Sequence, residues 1–538
     1  MKNKYLVFIY LFPIFILFSC QKKQEDLNNI IDFKDYTLAR VPLYPSYSGL
    51  EEKEKIIIQY LVSASIYADS IFFIQNSGDY TYLLDKINDE KLKLRFKINF
   101  GPWDIFHNNL PFIKGIASKP QGAYFYPIDM LSSEFYNFKD SCKYSHYTVL
   151  RRNENNELIC IPYHIYYKKY LDSAINYIKQ AYEISQDINF KNYLNELIYS
   201  LQTQDYYKTY THLVNLDSKI EFIFGPTDIT IDKLFNIKAD FQAFLLIKDK
   251  ELSNKLNQYV KWLRYLQKAL PVPEIYRQEE PGEQSLIAVY DVVFLGGSAK
   301  AGVPLISTTI PFDPEFQIQV GTKNLQFKNV IAAKYEGIIR PIVKKVMIPS
   351  QAKYVSSQAF QDLSLLYEIA NGLGIRNTIN DKGSVINALE EIYAISQYTK
   401  NYLMVLFLAE KLHSVNELNL SLKEYYYTFV ANMFRGIRWG SENNYGLANL
   451  IIINYLIRKG AIKFLPSKQI IVNYEAMKEI IPQMLRNILI IQGNGDKEAM
   501  KKFILNNKYI SANLQYILSS FDTEKIPIDI YPEFKIKL

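Results

Sequence analysis

From about residue 325 to its end, this chain repeats apolar residues with helical period. The segments are 325–346, 355–372, 384–412, 421–436, 441–458, 473–491, 495–506 and 510–520, punctuated by Gly372, Gly383, Gly440 and Gly493. This pattern predicts a mostly helical C-terminal lobe. The part before it is mixed. Helical period marks 50–75, 81–96, 165–184, 187–202 and 204–215. Residues 147–152 and 157–163 flank Asn153-Glu154-Asn155-Asn156 and predict a β-hairpin. A short strand is expected at 220–224, ended by Gly225-Pro226. Strand and helix alternate over 236–248 and 251–268, and β-branched runs at 286–295 and 303–310 surround a Gly-rich turn. A length of 538 residues suffices for two cores.

The N-terminus predicts an address. Lys2 and Lys4 precede an apolar run that ends at Leu17-Phe18-Ser19-Cys20. A basic start, a short apolar stretch and a small residue before Cys form the pattern of a bacterial lipoprotein signal. Cys20 is then the expected lipidated residue, residues 1–19 the signal peptide and 20–48 a tether. The apolar run is shorter than the roughly 20 residues a spanning helix needs. The body is therefore expected to hang from a lipid in the bacterial cell envelope. The sequence does not choose between inner and outer membrane.

Composition narrows the function. Hydrophobic residues at 49% and charged residues at 22% describe a globular chain. A net charge of +7 over this length lacks the dense basic footprint of a nucleic-acid binder. Five His and three Cys exclude a zinc-finger array or a disulfide scaffold. Cys142 and Cys160 share a compartment that permits bridging. The expected hairpin, however, sets Cys160 opposite about residue 149 rather than Cys142, which argues against a disulfide.

Tyr367-Glu368-Ile369-Ala370-Asn371-Gly372-Leu373-Gly374 resembles the zinc helix of the dipeptidyl peptidase III family, which in short bacterial members reads like H-E-x-x-H-G-L-G. The resemblance continues through Ile375-Arg376-Asn377-Thr378 and Ala388-Leu389-Glu390-Glu391. It extends upstream to Gly101-Pro102-Trp103-Asp104, Phe125-Tyr126-Pro127, Phe224-Gly225-Pro226 and Leu270-Pro271-Val272-Pro273. Downstream it takes in Phe434-Arg435-Gly436-Ile437-Arg438 and Gln492-Gly493-Asn494-Gly495-Asp496. It spans roughly residues 50–530, in order. It implies an α+β, predominantly helical fold with two lobes flanking a wide cleft. A mixed lobe over 49–325 would contain a small partial barrel, and a helical lobe over 326–538 would carry the zinc-site helices.

The resemblance also implies roles that this sequence does not keep. In the family, two His at i and i+4 and a Glu from a later helix hold Zn²⁺, and the Glu after the first His takes a proton from zinc-bound water. Here the ligand positions hold Tyr367, Asn371 and Tyr398, while Glu368 keeps the general-base position. Tyr445 occupies the position of a transition-state His. In Thr309-Ile310-Pro311-Phe312, Thr309 and Phe312 replace two Asn that bind the peptide backbone. Phenols with a pKa of about 10 and a neutral amide are poor zinc ligands. Their presence predicts loss of most of the roughly 10–16 kcal/mol by which a protein site holds structural zinc. No cofactor is then expected, and Glu368 has no activated water to deprotonate. No two of His107, His146, His164, His212 and His413 stand at i, i+3 or i, i+4 to rebuild a site.

Other signals read as structural. Residues 296–302 lack the G-K-[S/T] ending of a phosphate loop and read as a turn between strands. Glu390 and Glu391 read as a solvated helix face. The Tyr-rich stretches 166–170 and 425–427 read as packing with snorkelling Lys. Glu368 is expected either as a pocket carboxylate or as the partner of a nearby Lys or Arg. The leading expectation is a lipid-anchored, catalytically inactive relative whose cleft takes peptides. An active peptidase with an altered metal site and a structural lipoprotein of an envelope complex are the alternatives.

Overall fold

The computed structural model describes residues 36–281, 286–441 and 443–536. The signal peptide, Cys20 and most of the expected tether lie outside the described residues.

The first strand, β1 (Leu38–Leu43), falls within the stretch expected as tether. It pairs in parallel with the last strand, so both ends of the described chain close on each other. Helix α1 (Glu52–Ser77) follows. The helical stretch Glu52–Lys86, which α1 begins, is by length and composition able to cross a membrane. Yet Ile58, Leu61, Ala64, Ala68 and Ile71 are wholly buried, as in a core helix. The charged helix expected at 81–96 is broken, and its regular part is α2 (Glu90–Asn99), capped by Asp89.

The hairpin forms as expected, with β2 (Thr148–Arg152) paired to β3 (Leu158–Pro162) and Cys160 opposite Leu150. Cys142 and Cys160 are nevertheless bridged. Cys142 does not belong to the hairpin. It lies in the 3-10 turn Ser141–Tyr144, which folds back against β2 so that Thr148 Oγ1 donates to the Cys142 carbonyl at 3.0 Å. Cross-strand register says nothing about that return.

Helix α3 (Lys168–Ile184) packs along α1. Then come β4 (Ile220–Asp228), which runs straight through Gly225-Pro226, and β5 (Asp240–Asp249). The sheet is completed by β6 (Leu286–Gly297), β7 (Ser307–Ile310) and β8 (Lys323–Phe327), in the order β4-β5-β6-β8-β7. The β6–β8 pair is parallel and the others are antiparallel. The sheet stays open, with β4 and β7 as its edges, so the expected partial barrel is not closed. The boundary expected at 325/326 falls inside β8. Residues 323–327 are fully buried sheet, where tertiary pairing outweighs the helical period read from 325 onward.

The second lobe is helical. Its main helices are α4 (Ser357–Asn371), α5 (Tyr393–Ser414), α6 (Leu422–Gly436), α7 (Asn444–Arg458) and α8 (Tyr474–Gly493), the first four of which line the cavities described below. Helix α5 packs against α4, α6, α7 and α8. Its residues 399–409 are buried on every side, as expected of a helix inside a bundle. The last strand, β9 (Asp529–Phe534), returns to β1. One continuous buried cluster runs through both lobes, with a satellite around Phe96, Trp103 and Phe112.

Candidate functional site

Helix α4 is set at both ends. Ser356 Oγ accepts from the Ala359 N–H at its start. Past its end, Gln267 bonds both the N–H and the carbonyl of Gly374, at 3.0 and 2.8 Å. Gly374 has φ +114°, a conformation that favours glycine. Lys400 of α5 donates to the Ala370 and Leu373 carbonyls at 3.0 and 2.6 Å, and burial lowers its pKa to about 7.

This frame points Tyr367 and Glu368 into a cavity of about 600 Å³ between β7 and the helical lobe. A second cavity of about 540 Å³ adjoins Asn371, Thr309 and Lys400. Glu368 lines both. Ser307 Oγ donates to Glu368 Oε1 at 3.2 Å and Asn324 Nδ2 donates to Oε2 at 3.0 Å. Asn324 also donates to Thr309 Oγ1 at 3.1 Å. Of the two expectations for Glu368, the structure selects the pocket carboxylate. Its hydrogen-bond partners are a hydroxyl and an amide.

The other predicted positions are partly gathered. Tyr367, Tyr398 and Tyr445 line the first cavity, and Asn371 and Thr309 the second. Phe312 lines neither. It follows the cis Ile310–Pro311 bond and packs on His146, with ring centroids 5.4 Å apart. Asn371 Oδ1 is already taken by two donors, Asn401 Nδ2 at 3.0 Å and Gln397 Nε2 at 3.3 Å. Burial pushes the Tyr367 phenol well above its usual range, so it stays neutral near pH 7. None of the five His lines either cavity. Glu390 and Glu391 are exposed and meet Lys497, as a solvated face should.

Sequence reasoning missed the cationic wall of the first cavity. Arg435 on α6 donates through Nη1 to Tyr445 Oη at 2.9 Å. Its Nη2 lies 3.5 Å from Asp529, which also pairs with Lys334 at 3.0 Å. Arg435 is the one charged residue in the run 425–437, which is a signal of a constrained cation.

Two lobes joined by one core, with a helix-borne carboxylate hydrogen-bonded to the edge strand of an open sheet and lining two cavities beside it, define a scaffold of the dipeptidyl peptidase III type. A family model described as Peptidase family M49 matches residues 116–365. The fold superposes on the structure of DPP III from Caldithrix abyssi with a TM-score of 0.89 and 32% identity, covering 93% of this chain and 98% of that one. Dipeptidyl-peptidase III from Corallococcus sp. strain EGB matches with a TM-score of 0.76 and 25% identity, over 92% and 95% of the two chains. Among curated proteins, Nudix hydrolase 3 of Arabidopsis thaliana is 26% identical over 586 aligned residues, covering 96% of this chain and 75% of that protein. The chain belongs to peptidase family M49.

Zinc is the metal this family implies, and the donors at the locus do not fit it. They are two phenols, an amide oxygen already holding two N–H groups, and a single carboxylate. Among the described residues no group of three or more His, Cys, Asp and Glu could hold a metal ion. Zinc sites are built from imidazole, thiolate and carboxylate.

Proposed function

We propose that this chain is a lipid-anchored member of the family that has given up zinc peptidase chemistry and uses its cleft to hold peptides. The observation that carries the reading is the occupied Asn371 oxygen. The second ligand position of α4 is committed to Asn401 and Gln397, with Tyr367 one turn before it. Without a metal, water keeps a pKa near 15.7, and Glu368 has no nucleophile to generate. What remains is a binding geometry. Strand β7 is an edge of the sheet, and its Ser307 and Thr309 reach the two cavities. An extended peptide can add to such an edge through main-chain hydrogen bonds. The sheet-bearing lobe and the helical lobe form the walls. Cys20 carries the lipid, and the body sits in the periplasm or at the cell surface.

The test is the zinc content of residues 21–538 after incubation with excess zinc and desalting, alongside a chelator-controlled dipeptidyl peptidase assay. Well under one zinc per chain, with no chelator-sensitive cleavage, is expected. Stoichiometric zinc with cleavage overturns the reading and restores the active-peptidase alternative.

One observation favours the structural-lipoprotein alternative. Ile128, Leu131, Tyr136 and Tyr144 are all more than half exposed, and the two Tyr rings edge onto Phe135. A stable envelope partner lost on replacing Tyr136 and Tyr144 by Ser, with no peptide affinity, would establish that alternative.

A further inference from the structure

The first cavity contains polar groups that its own lining leaves unsatisfied. Arg435 is 8% exposed, and its buried Nε has no hydrogen-bond partner. Three residues earlier on the same face of α6, Asn432 lines the cavity too, and its buried Oδ1 is also unpartnered. Buried polar atoms are nearly always satisfied. Arg435 and Lys334 share the carboxylate of Asp529, and the cavity's other carboxylate, Glu368, is held by Ser307 and Asn324 rather than by either cation.

The walls are aromatic. Tyr367, Tyr402 and Tyr445 form a row with centroid steps of 5.2 and 5.8 Å, running from the helix of Glu368 to the Arg435 guanidinium. Burial holds the Tyr367 and Tyr402 phenols neutral. Glu368 lies at the other end of this row, with its oxygens held by Ser307 and Asn324.

We propose that this cavity binds a carboxylate with an N–H on the adjacent carbon and an aromatic body, the chemistry of a peptide C-terminus or of an N-acyl amino acid. The carboxylate meets the Arg435 guanidinium, whose planar fork suits it. The N–H meets Asn432, and the ring lies on the Tyr row. The proposal deepens the peptide-holding reading and rests on it for the peptide source.

The experiment titrates the metal-free body, residues 21–538, with N-acetylphenylalanine, its amide, inorganic phosphate, and an extended peptide blocked at both ends. Calorimetry is read beside the fluorescence of Trp439, which lines the cavity. The acid is expected to bind at least tenfold tighter than the amide and than phosphate. Arg435→Gln is expected to abolish that preference. That variant disturbs a buried ion pair, so Tyr445→Phe serves as the second probe. It frees Arg435 Nη1 and is expected to raise the acid-over-amide ratio several-fold, which a merely structural role would not do. Equal binding of acid and amide, equal binding of phosphate, or an unchanged ratio in Tyr445→Phe overturns the proposal. If the blocked peptide binds while acid and amide do not differ, this proposal fails and peptide holding along β7 stands. If the acid is preferred and the blocked peptide does not bind, the proposal holds for small acids and the β7 reading falls.

Discussion

Asn324 donates its side-chain N–H to Glu368 Oε2 at 3.0 Å, which ties strand β8 of the sheet to helix α4 of the helical lobe at the floor of the cleft. Ser307 Oγ adds a second tie at 3.2 Å. Glu368→Ala leaves both donors without their acceptor and is expected to destabilise the protein by about 1–3 kcal/mol. Glu368→Gln keeps one acceptor oxygen and should cost less. Urea denaturation midpoints measure both, and an unshifted Ala variant would show that the ties carry no energy.

The ligand positions can be refilled. Tyr367→His, Asn371→His and Tyr398→Glu together place two imidazoles at i and i+4 with a carboxylate from α5. This triple variant is expected to retain close to one zinc per chain after desalting, while the wild-type chain retains far less. Equal zinc in the two proteins would mean that these three side chains do not decide zinc retention.

The Cys142–Cys160 bridge closes a loop of 18 residues at the hairpin. A loop of that size contributes roughly 3 kcal/mol through the unfolded chain. The double Cys142→Ser, Cys160→Ser variant is therefore expected to unfold at lower denaturant, and reductant should move the wild-type protein toward it. A wild-type midpoint indifferent to reductant would contradict this.

Asp240, at the start of β5, is buried beside Asp228. Burial first and that neighbour second raise its pKa from 3.8 to about 7. Between those values the folded chain holds a proton that the unfolded chain has released. The contribution is complete below pH 3.8 and is lost as pH rises through 7. Asp240→Asn has no such proton to lose, and its amide can still meet Thr230 and Ser298. Its stability should vary less between pH 4 and 7 and exceed the wild type above pH 7 by on the order of 2 kcal/mol. Parallel pH profiles of the two proteins would exclude the effect.

Much of the site was legible in the sequence because it lies on one helix. Tyr367, Glu368 and Asn371 are close along the chain, so helical period alone puts the first and last on one face. Tyr398 and Tyr445 were legible through ordered motifs, and the structure sets both in the cavity with Tyr367. Thr309 and Phe312 were read as a pair, but the chain after Pro311 carries Phe312 away to His146. The Cys pair was misread because a loop returned to the hairpin from outside it. The strand at 323–327 was misread because neighbouring strands, not local pattern, decide that segment.

The sequence by itself determined the helical bundle, the hairpin and the residue types at the ligand positions. These follow from local periodicity and from chemistry that does not depend on fold. Only the tertiary structure decided that Glu368 is held by Ser307 and Asn324, that Asn371 is already taken, and that Arg435 and Lys334 share Asp529. Those pairings join residues that are 26 to 195 positions apart. No local pattern encodes such distances. They arise when the sheet, the bundle and the returning last strand bury their apolar faces together, and every polar group caught inside must take whichever partner the packing brings to it.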